Sequence, residues 1–208
     1  MAARPSNKLR NEKTVDLMQL QPDSRVLEIG CGPGLALSKC AGIIETGRLV
    51  GLDHSDVMIR QARSRLRKLG IGDRVELVAG GMDRLSDWPE AFDFVFSLNV
   101  IQFQQDKIGF FRAVARALVP GGSCLTTYQP RLDADGTSSF RDMIDAIIEA
   151  LSASGFAGMG TTEIIGGPTP AICVRGIKAI MRGQTFDKPC LEPGVKKTFP
   201  TRQLASDR

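Results

Sequence analysis

The segment RVLEIGCGPG, residues 25–34, restricts the fold more than any other part of the sequence. Its first half is a compact apolar run, which is typical of a strand buried on both faces. Its second half has three glycines within five positions, which let a backbone turn sharply and approach a ligand closely. A helix that follows such a turn presents free backbone N–H groups to the ligand. The segment therefore predicts a strand, a glycine loop and a helix in a parallel sheet.

Apolar runs and helical repeats then alternate along the chain. The runs predict strands over 25–30, 48–53, 74–79, 92–98, 123–128, 161–165 and 171–174. The repeats predict a helix capped by Ser55 with Met58, Ala62, Leu66 and Leu69 on its apolar face, a helix with Ile108 and Phe111 that is closed by Pro120-Gly121-Gly122, and a helix over 140–151. This order predicts an α/β fold, a doubly wound, mostly parallel seven-stranded sheet with helices on both faces and a C-terminal antiparallel strand.

Length and composition favour a single globular domain. The chain has 208 residues, 42% of them hydrophobic, and a formal net charge of +4, which permits a nucleic-acid partner without indicating one. No apolar run is long enough to span a membrane, and no secretory signal is recognised near the start. The five cysteines include no C-x-x-C pair, so we expect reduced thiols and a cytoplasmic location.

Three segments differ in pattern. Residues 1–24 are polar with one helical patch, and we interpret them as a helical segment or partial lid. Residues 25–180 carry the alternating pattern of the main domain. Residues 181–208 lose periodicity and gain Pro, Lys and Gly, which predicts a flexible tail.

An acidic residue on the second strand complements the glycine loop. Asp53 follows Gly34 by nineteen residues, where a carboxylate can accept both hydroxyls of a ribose. Leu35 stands where the dinucleotide fingerprint requires Gly or Ala. Glu28 places an acid beside the loop, which would repel a pyrophosphate and attract an amino group. The pattern predicts an adenosine-containing ligand other than a dinucleotide, with an NAD-dependent oxidoreductase as a less favoured alternative.

Five segments resemble motifs of the class I S-adenosylmethionine-dependent methyltransferases, in that family's order and spacing. They are VLEIGCGPG (26–34), GLDHS (51–55), Gly81-Met82-Asp83, FDFVFSLNVIQF (92–103) and LVPGG (118–122). The resemblance covers about residues 22–175 and implies a Rossmann-like methyltransferase fold with S-adenosyl-L-methionine as cofactor.

The resemblance also implies roles for individual residues around that cofactor. Glu28, Gly30, Gly32 and Gly34 would line its methionine part, with Cys31 as a small spacer in the loop and Asn99 near the transferred methyl. Asp53 would bind the ribose hydroxyls, and His54, Met58, Met82 and Asp83 would surround the adenine. For His54 a surface loop, and for Met58 a place in the core, are open alternatives.

The chemical class of the acceptor is inferred mainly from sequence motifs that are not recognised. No N-P-P-Y motif follows the fourth predicted strand and no appended RNA-binding domain is recognised, so we expect a small-molecule acceptor and no nucleic-acid partner. With one histidine in the sequence and no long apolar run, we also expect no metal and no membrane partner; a homodimer stays open. No general base is identified, and Tyr128 is the candidate acceptor contact, with a core tyrosine as its alternative. A protein or RNA methyltransferase and a non-catalytic cofactor-binding subunit are the remaining alternatives.

Overall fold

The computed structural model describes residues 5–130, 138–166 and 169–180. Its helices are α1 (Pro5–Met18), α2 (Leu35–Cys40), α3 (Asp56–Lys68), α4 (Lys107–Ala117) and α5 (Ser138–Ala153). Its strands are β1 (Arg25–Ile29), β2 (Arg48–Asp53), β3 (Glu76–Ala79), β4 (Phe92–Leu98), β5 (Leu118–Tyr128), β6 (Phe156–Ile164) and β7 (Ala171–Lys178). Short 3-10 turns span Gly72–Arg74, Met82–Asp87 and Ile101–Phe103.

The seven strands form one sheet in the order β3-β2-β1-β4-β5-β7-β6. The pairs among β1 to β5 are parallel, and β7 lies antiparallel between β5 and β6. The predicted fold class is confirmed. From β1 the chain builds outward through β2 and β3, then returns to place β4 on the other side of β1. Open sheets bind ligands at such a switch point, beyond the carboxyl ends of the strands.

Both faces of the sheet are covered by apolar side chains, as the continuous apolar runs predict. One core lies beneath α4 and α5 and includes Leu27, Phe92 and Phe111. The other lies beneath α1, α2 and α3 and includes Val26 and Leu37. Val26 and Leu27 enter opposite cores because successive strand residues point to opposite faces. The central parallel strands β1, β2, β4 and β5 are thus buried from both sides, which keeps β1 and its loop in place.

The helix α3 begins where the sequence predicts, since the Ser55 hydroxyl accepts a hydrogen bond from Met58 N at 3.4 Å. Ala62 and Leu66 are buried along its inner face together with Ile59. Leu69, predicted to belong to that face, is 56% exposed. It lies at the C-cap, where the chain leaves the helix axis. Ile108, predicted to lie on the apolar face of the next helix, is likewise exposed at the start of α4.

The Pro-Gly-Gly sequence at 120–122 forms part of a strand, which corrects the predicted turn. β5 begins at Leu118 and pairs with Phe92, and the next paired positions are Ser123 with Phe94. The extra β5 residues form a bulge, and Gly121 adopts a φ of 78° within it, a conformation that glycine accepts without strain. The signals for a bulge and for a turn are the same residues, so the sequence pattern did not separate them.

The remaining boundaries also differ from the predictions. β3 begins at Glu76, β6 begins at Phe156 and β7 continues to Lys178. In the predicted N-terminal segment α1 forms, and its Val15 and Met18 pack into the core beneath α2. The predicted tail, 181–208, lies outside the described residues. Among the helices that the structure describes, none is sufficiently long and apolar to cross a bilayer.

Candidate functional site

The loop after β1 is built on three glycines in a left-handed conformation. Gly30, Gly32 and Gly34 have φ angles of 69°, 51° and 77°, a region that other residues adopt only with strain. The N–H groups of Gly30 and Cys31 both donate to the carbonyl of Leu52, at 2.8 and 3.1 Å. The loop is therefore fastened to the end of β2 and held in one conformation.

The three glycines serve different purposes. A Cβ on Gly30 would overlap the Val100 side chain, and a Cβ on Gly34 would lie 3.2 Å from Ala62 Cβ. A Cβ on Gly32 would meet no protein atom within 4 Å. Gly30 and Gly34 thus permit close packing against the protein itself. Gly32 borders open space, so its bare backbone is the part of the loop that a ligand can approach.

Asp53 connects the loops that follow the first three strands. One carboxylate oxygen accepts from Gly32 N at 2.8 Å, and the other accepts from Ser55 N at 2.9 Å. Its carbonyl accepts from Gly80 N at 3.0 Å. The residue is only 6% exposed, and each carboxylate oxygen keeps a further lone pair after these bonds. Asp53 can therefore bind ligand hydroxyls while it orders the loop.

Glu28 lies on β1 opposite Gly51 and is 2% exposed. Its pKa is raised well above the ordinary value, chiefly by burial and also by the charge of Asp53. A hydrogen bond from the backbone of Leu37 acts in the opposite direction and lowers the pKa. Its Oε2 is buried without a hydrogen-bond partner. Burial thus disfavours the charged form of Glu28 relative to an exposed glutamate. A ligand cation would favour ionisation of this group.

The other residues predicted around the cofactor occupy the rim of this loop cluster. The His54 side chain is 88% exposed, with Nδ1 3.7 Å from a carboxylate oxygen of Asp53. Asp83 is exposed, while Met58 is half-buried and Met82 packs against the core beneath α4. Cys31 is buried, and its burial raises the pKa of its thiol. The charges of Glu28 and Asp53 raise this pKa further. The thiol is therefore protonated at neutral pH, as a spacer residue can be.

Asn99 and Tyr128 lie at the ends of neighbouring strands, but they differ in setting. Asn99 has a φ of 53°, donates its N–H to Thr127 O at 2.8 Å and accepts from Gln129 N at 2.9 Å through its side chain. Tyr128 stacks on Phe140 of α5, with ring centroids 5.9 Å apart. Asn99 is thereby fixed at the carboxyl edge of the sheet, whereas the Tyr128 ring is packed against a helix.

Two arginines contribute to the site without having been singled out in the sequence. Arg65 of α3 donates its Nε–H to the carbonyl of Pro33 at 2.9 Å and so supports the glycine loop. Arg10 of α1 donates to the side chain of Gln129. Arg65 belongs to a run of basic residues on α3 whose other members, Arg60, Arg63, Arg67 and Lys68, are exposed. Its spacing of three residues from Ala62, which packs on Gly34, was the usable signal.

Comparison with known sequences identifies relatives of this chain. A family model described as a methyltransferase domain matches residues 26–122. The uncharacterised methyltransferase YdaC of Bacillus subtilis is 30% identical over 143 residues, which is 66% of this chain and 76% of that protein. A demethylmenaquinone methyltransferase of Bacillus cereus is 30% identical over 131 residues, 61% of this chain and 54% of that protein. The chain thus spans about half the length of the second relative.

Comparison with solved structures agrees at the level of the fold. A SAM-dependent methyltransferase from Aquifex aeolicus superposes with a TM-score of 0.67 at 18% identity, covering 86% of this chain and all (100%) of that one. At this identity the likeness supports the arrangement of strands and helices alone.

Proposed function

Because the chain belongs to the class I S-adenosylmethionine-dependent methyltransferases, we propose that it methylates an O, N or C atom of a small-molecule acceptor. The observation that carries the proposal is the 2.8 Å hydrogen bond from Gly32 N to the Asp53 carboxylate, beside open space at the carboxyl edge of the sheet. That geometry suits a ligand with vicinal hydroxyls and a close backbone contact. Relatives named for methylation of a quinone precursor and of a sterol support a small acceptor.

The residues of this loop cluster fit S-adenosylmethionine, which is the cofactor of the family. When bound, it supplies a methyl group on a positively charged sulfur. We propose that Asp53 accepts hydrogen bonds from the ribose hydroxyls and that Glu28 Oε2 accepts one from the amino group. The methionine part would lie along the loop formed by Gly30, Cys31, Gly32 and Gly34. His54, Met58, Met82 and Asp83 then border the adenine.

Asn99 supports the proposed reaction by holding a polar side chain in place where β4 ends. Its left-handed backbone and its two hydrogen bonds, to Thr127 of β5 and to Gln129 directly after it, leave it little freedom. In-line transfer needs the attacking atom about 3–3.5 Å from the methyl carbon, so a fixed rim favours the reaction. The side chains of Asn99, Gln102 and Gln129 are amides, which orient an acceptor and do not remove its proton. No general base is needed if the acceptor is already a good nucleophile or is deprotonated before attack.

We also propose the cytoplasm as the location and α1 as part of the acceptor lid. The described cysteines are buried free thiols, a state that a reducing compartment maintains. The helix α1 contacts the end of β5 through Thr14 and Thr127, whose hydroxyls lie 2.8 Å apart. A helix in that position can exclude water from the edge where β4 and β5 end.

The test uses the protein with radiolabelled S-adenosylmethionine and a fractionated metabolite extract. We expect binding of S-adenosylhomocysteine by calorimetry and label in an extractable small molecule, which mass spectrometry then identifies. Label confined to protein or RNA would refute the acceptor class. Absence of both binding and transfer would refute the proposed function as a whole.

A further inference from the structure

The helix α1 buries a polar face where it crosses the end of β5. Arg10 and Thr14 lie four residues apart, on one face of the helix, and both are buried. Thr14 pairs with Thr127, and Arg10 donates to Gln129. One turn further along, the buried residues of α1 are Val15 and Met18. The buried face of the helix is therefore polar where it lies near the carboxyl edge of the sheet, where ligands bind.

Arg10 is a buried cation whose hydrogen-bond partners among the described residues are neutral. It is 8% exposed; one terminal nitrogen donates to Gln129 Oε1 and the other to Asn7 Oδ1, while its Nε is buried without a partner. The ion pairs within the described residues do not include Arg10. Burial lowers the pKa of this guanidinium, yet it stays charged at neutral pH.

A charge in this setting lowers the stability of the protein. Neutral amide oxygens replace part of the lost hydration, but they do not neutralise the charge. An apolar residue of similar length would pack at this position at lower cost in folding free energy. The arrangement becomes favourable when an anion binds, because a guanidinium and an oxyanion form paired, charge-assisted hydrogen bonds.

The position of Arg10 is tied to the proposed site of methyl transfer. Its partner Gln129 donates through Nε2 to Thr169 O at 2.7 Å, which turns Oε1 toward the guanidinium. The backbone N–H of the same Gln129 binds the side chain of Asn99 at 2.9 Å. Gln129 thus links the buried cation to Asn99 at the carboxyl edge of β4.

We propose that Arg10 binds a negatively charged oxygen group, a carboxylate or a phosphate, on the acceptor molecule. The proposal rests on the proposed function, since it specifies the acceptor class of the same site. The anion supplies the counter-charge that the described residues around Arg10 do not provide. Held there, it orients the acceptor so that a different atom of the molecule faces the methyl group.

The experiment measures binding of phenyl phosphate, benzoate and uncharged benzamide to the full chain saturated with S-adenosylhomocysteine, by calorimetry at constant ionic strength. We expect one anionic probe to bind and benzamide not to bind. The preferred anion identifies the group, phosphate or carboxylate. Arg10→Met should weaken that binding about tenfold or more, while Lys13→Met, at an exposed position of the same helix, should leave it unchanged.

Arg10→Lys keeps the charge but not the planar fork, and it supplies the test if Arg10→Met does not fold; we expect weakened binding of the probe. The proposal is overturned if neither anion binds, if benzamide binds equally well, or if the tested Arg10 variant binds the anion as the unaltered protein does. Failure of S-adenosylhomocysteine itself to bind would instead refute the proposed function.

Discussion

The cofactor half and the acceptor half of the site are built in different ways. In the cofactor half, around the loops after β1, β2 and β3, backbone atoms of Gly32, Ser55 and Gly80 converge on Asp53. In the acceptor half, side chains meet from distant segments, as Arg10 and Gln129 do across 119 residues. A constant ligand can be bound by backbone geometry, whereas a particular acceptor requires particular side chains.

The buried ionisable groups of the two halves differ in the same sense. Burial of Glu28, in the cofactor half, raises its pKa well above the ordinary value and so disfavours its charged form. Arg10, in the acceptor half, has no such option because a guanidinium does not deprotonate near neutral pH. In the cofactor half a proton can therefore remove the buried charge, whereas in the acceptor half the described residues form no ion pair with Arg10.

The largest expected effect in the cofactor half comes from Gly32→Val. A branched side chain at a φ of 51° is strained and would extend into the open space beside the loop, so we expect calorimetry to detect no binding of S-adenosylhomocysteine. Gly70→Val is the matched control, because Gly70 also has a positive φ, 71°, and free space around it. Both variants should lose stability, but Gly70→Val should still bind. Binding by a folded Gly32→Val protein would contradict the close approach at this loop.

Asp53→Ala should weaken S-adenosylhomocysteine binding by about 1–3 kcal/mol, because ligand hydroxyls and the N–H of Gly32 lose their acceptor. The measurement is again calorimetry. Asp93→Ala provides the control at the opposite edge of the sheet, where that carboxylate binds Arg25 at 2.7 Å; it should lower thermal stability and leave the affinity unchanged. Equal affinities for the Asp53 variant and the unaltered protein would remove the ribose assignment.

Glu28→Gln should change how stability depends on pH. The unfolded chain releases the Glu28 proton near the ordinary pKa of 4.5, while the folded chain retains it to higher pH. The stability of the unaltered protein therefore falls as pH rises above 4.5 and until the raised pKa is passed, by at most about 1.4 kcal/mol per pH unit from this group. Glu28→Gln should lack this fall.

Urea unfolding at several pH values measures the difference between the two proteins. We expect the stability of Glu28→Gln relative to the unaltered protein to increase with pH across that window. Glu163→Gln, at an exposed position of β6, should show no such trend. A constant difference between Glu28→Gln and the unaltered protein at all pH values would show that Glu28 titrates normally.

The smallest expected effect is that of Arg65→Gln. Loss of the hydrogen bond to Pro33 O loosens the glycine loop, and we expect S-adenosylhomocysteine affinity to fall by about 0.5–1.5 kcal/mol. Arg63→Gln alters an exposed member of the same basic run and should leave affinity unchanged. If both variants bind alike, the backbone alone maintains the loop, and the contrast between the two halves becomes sharper.

Local signals predicted much of the fold. The bounds of β2 and β4 match the prediction residue for residue, and Ser55 caps α3 as expected, because a buried run and a cap are encoded within a few neighbouring residues. The bulge at 120–122 was missed because Pro and Gly permit both a turn and a bulge, and only pairing with β4 selects between them. The exposure of Leu69 was not predicted, because the spacing of apolar residues does not show where a helix leaves the core.

The glycine loop and the acid after β2 were readable from the chain order, since left-handed backbone and sharp turns depend on residue type at one position. The raised pKa of Glu28, the support that Arg65 gives to Pro33 and the lack of an ion-pair partner for Arg10 among the described residues could not be predicted from the chain order. Each depends on burial and on partners contributed by other segments, which packing alone brings together. The left-handed backbone of the glycine loop depends on residue type at single positions, whereas the electrostatic environment of a side chain is a property of the folded molecule.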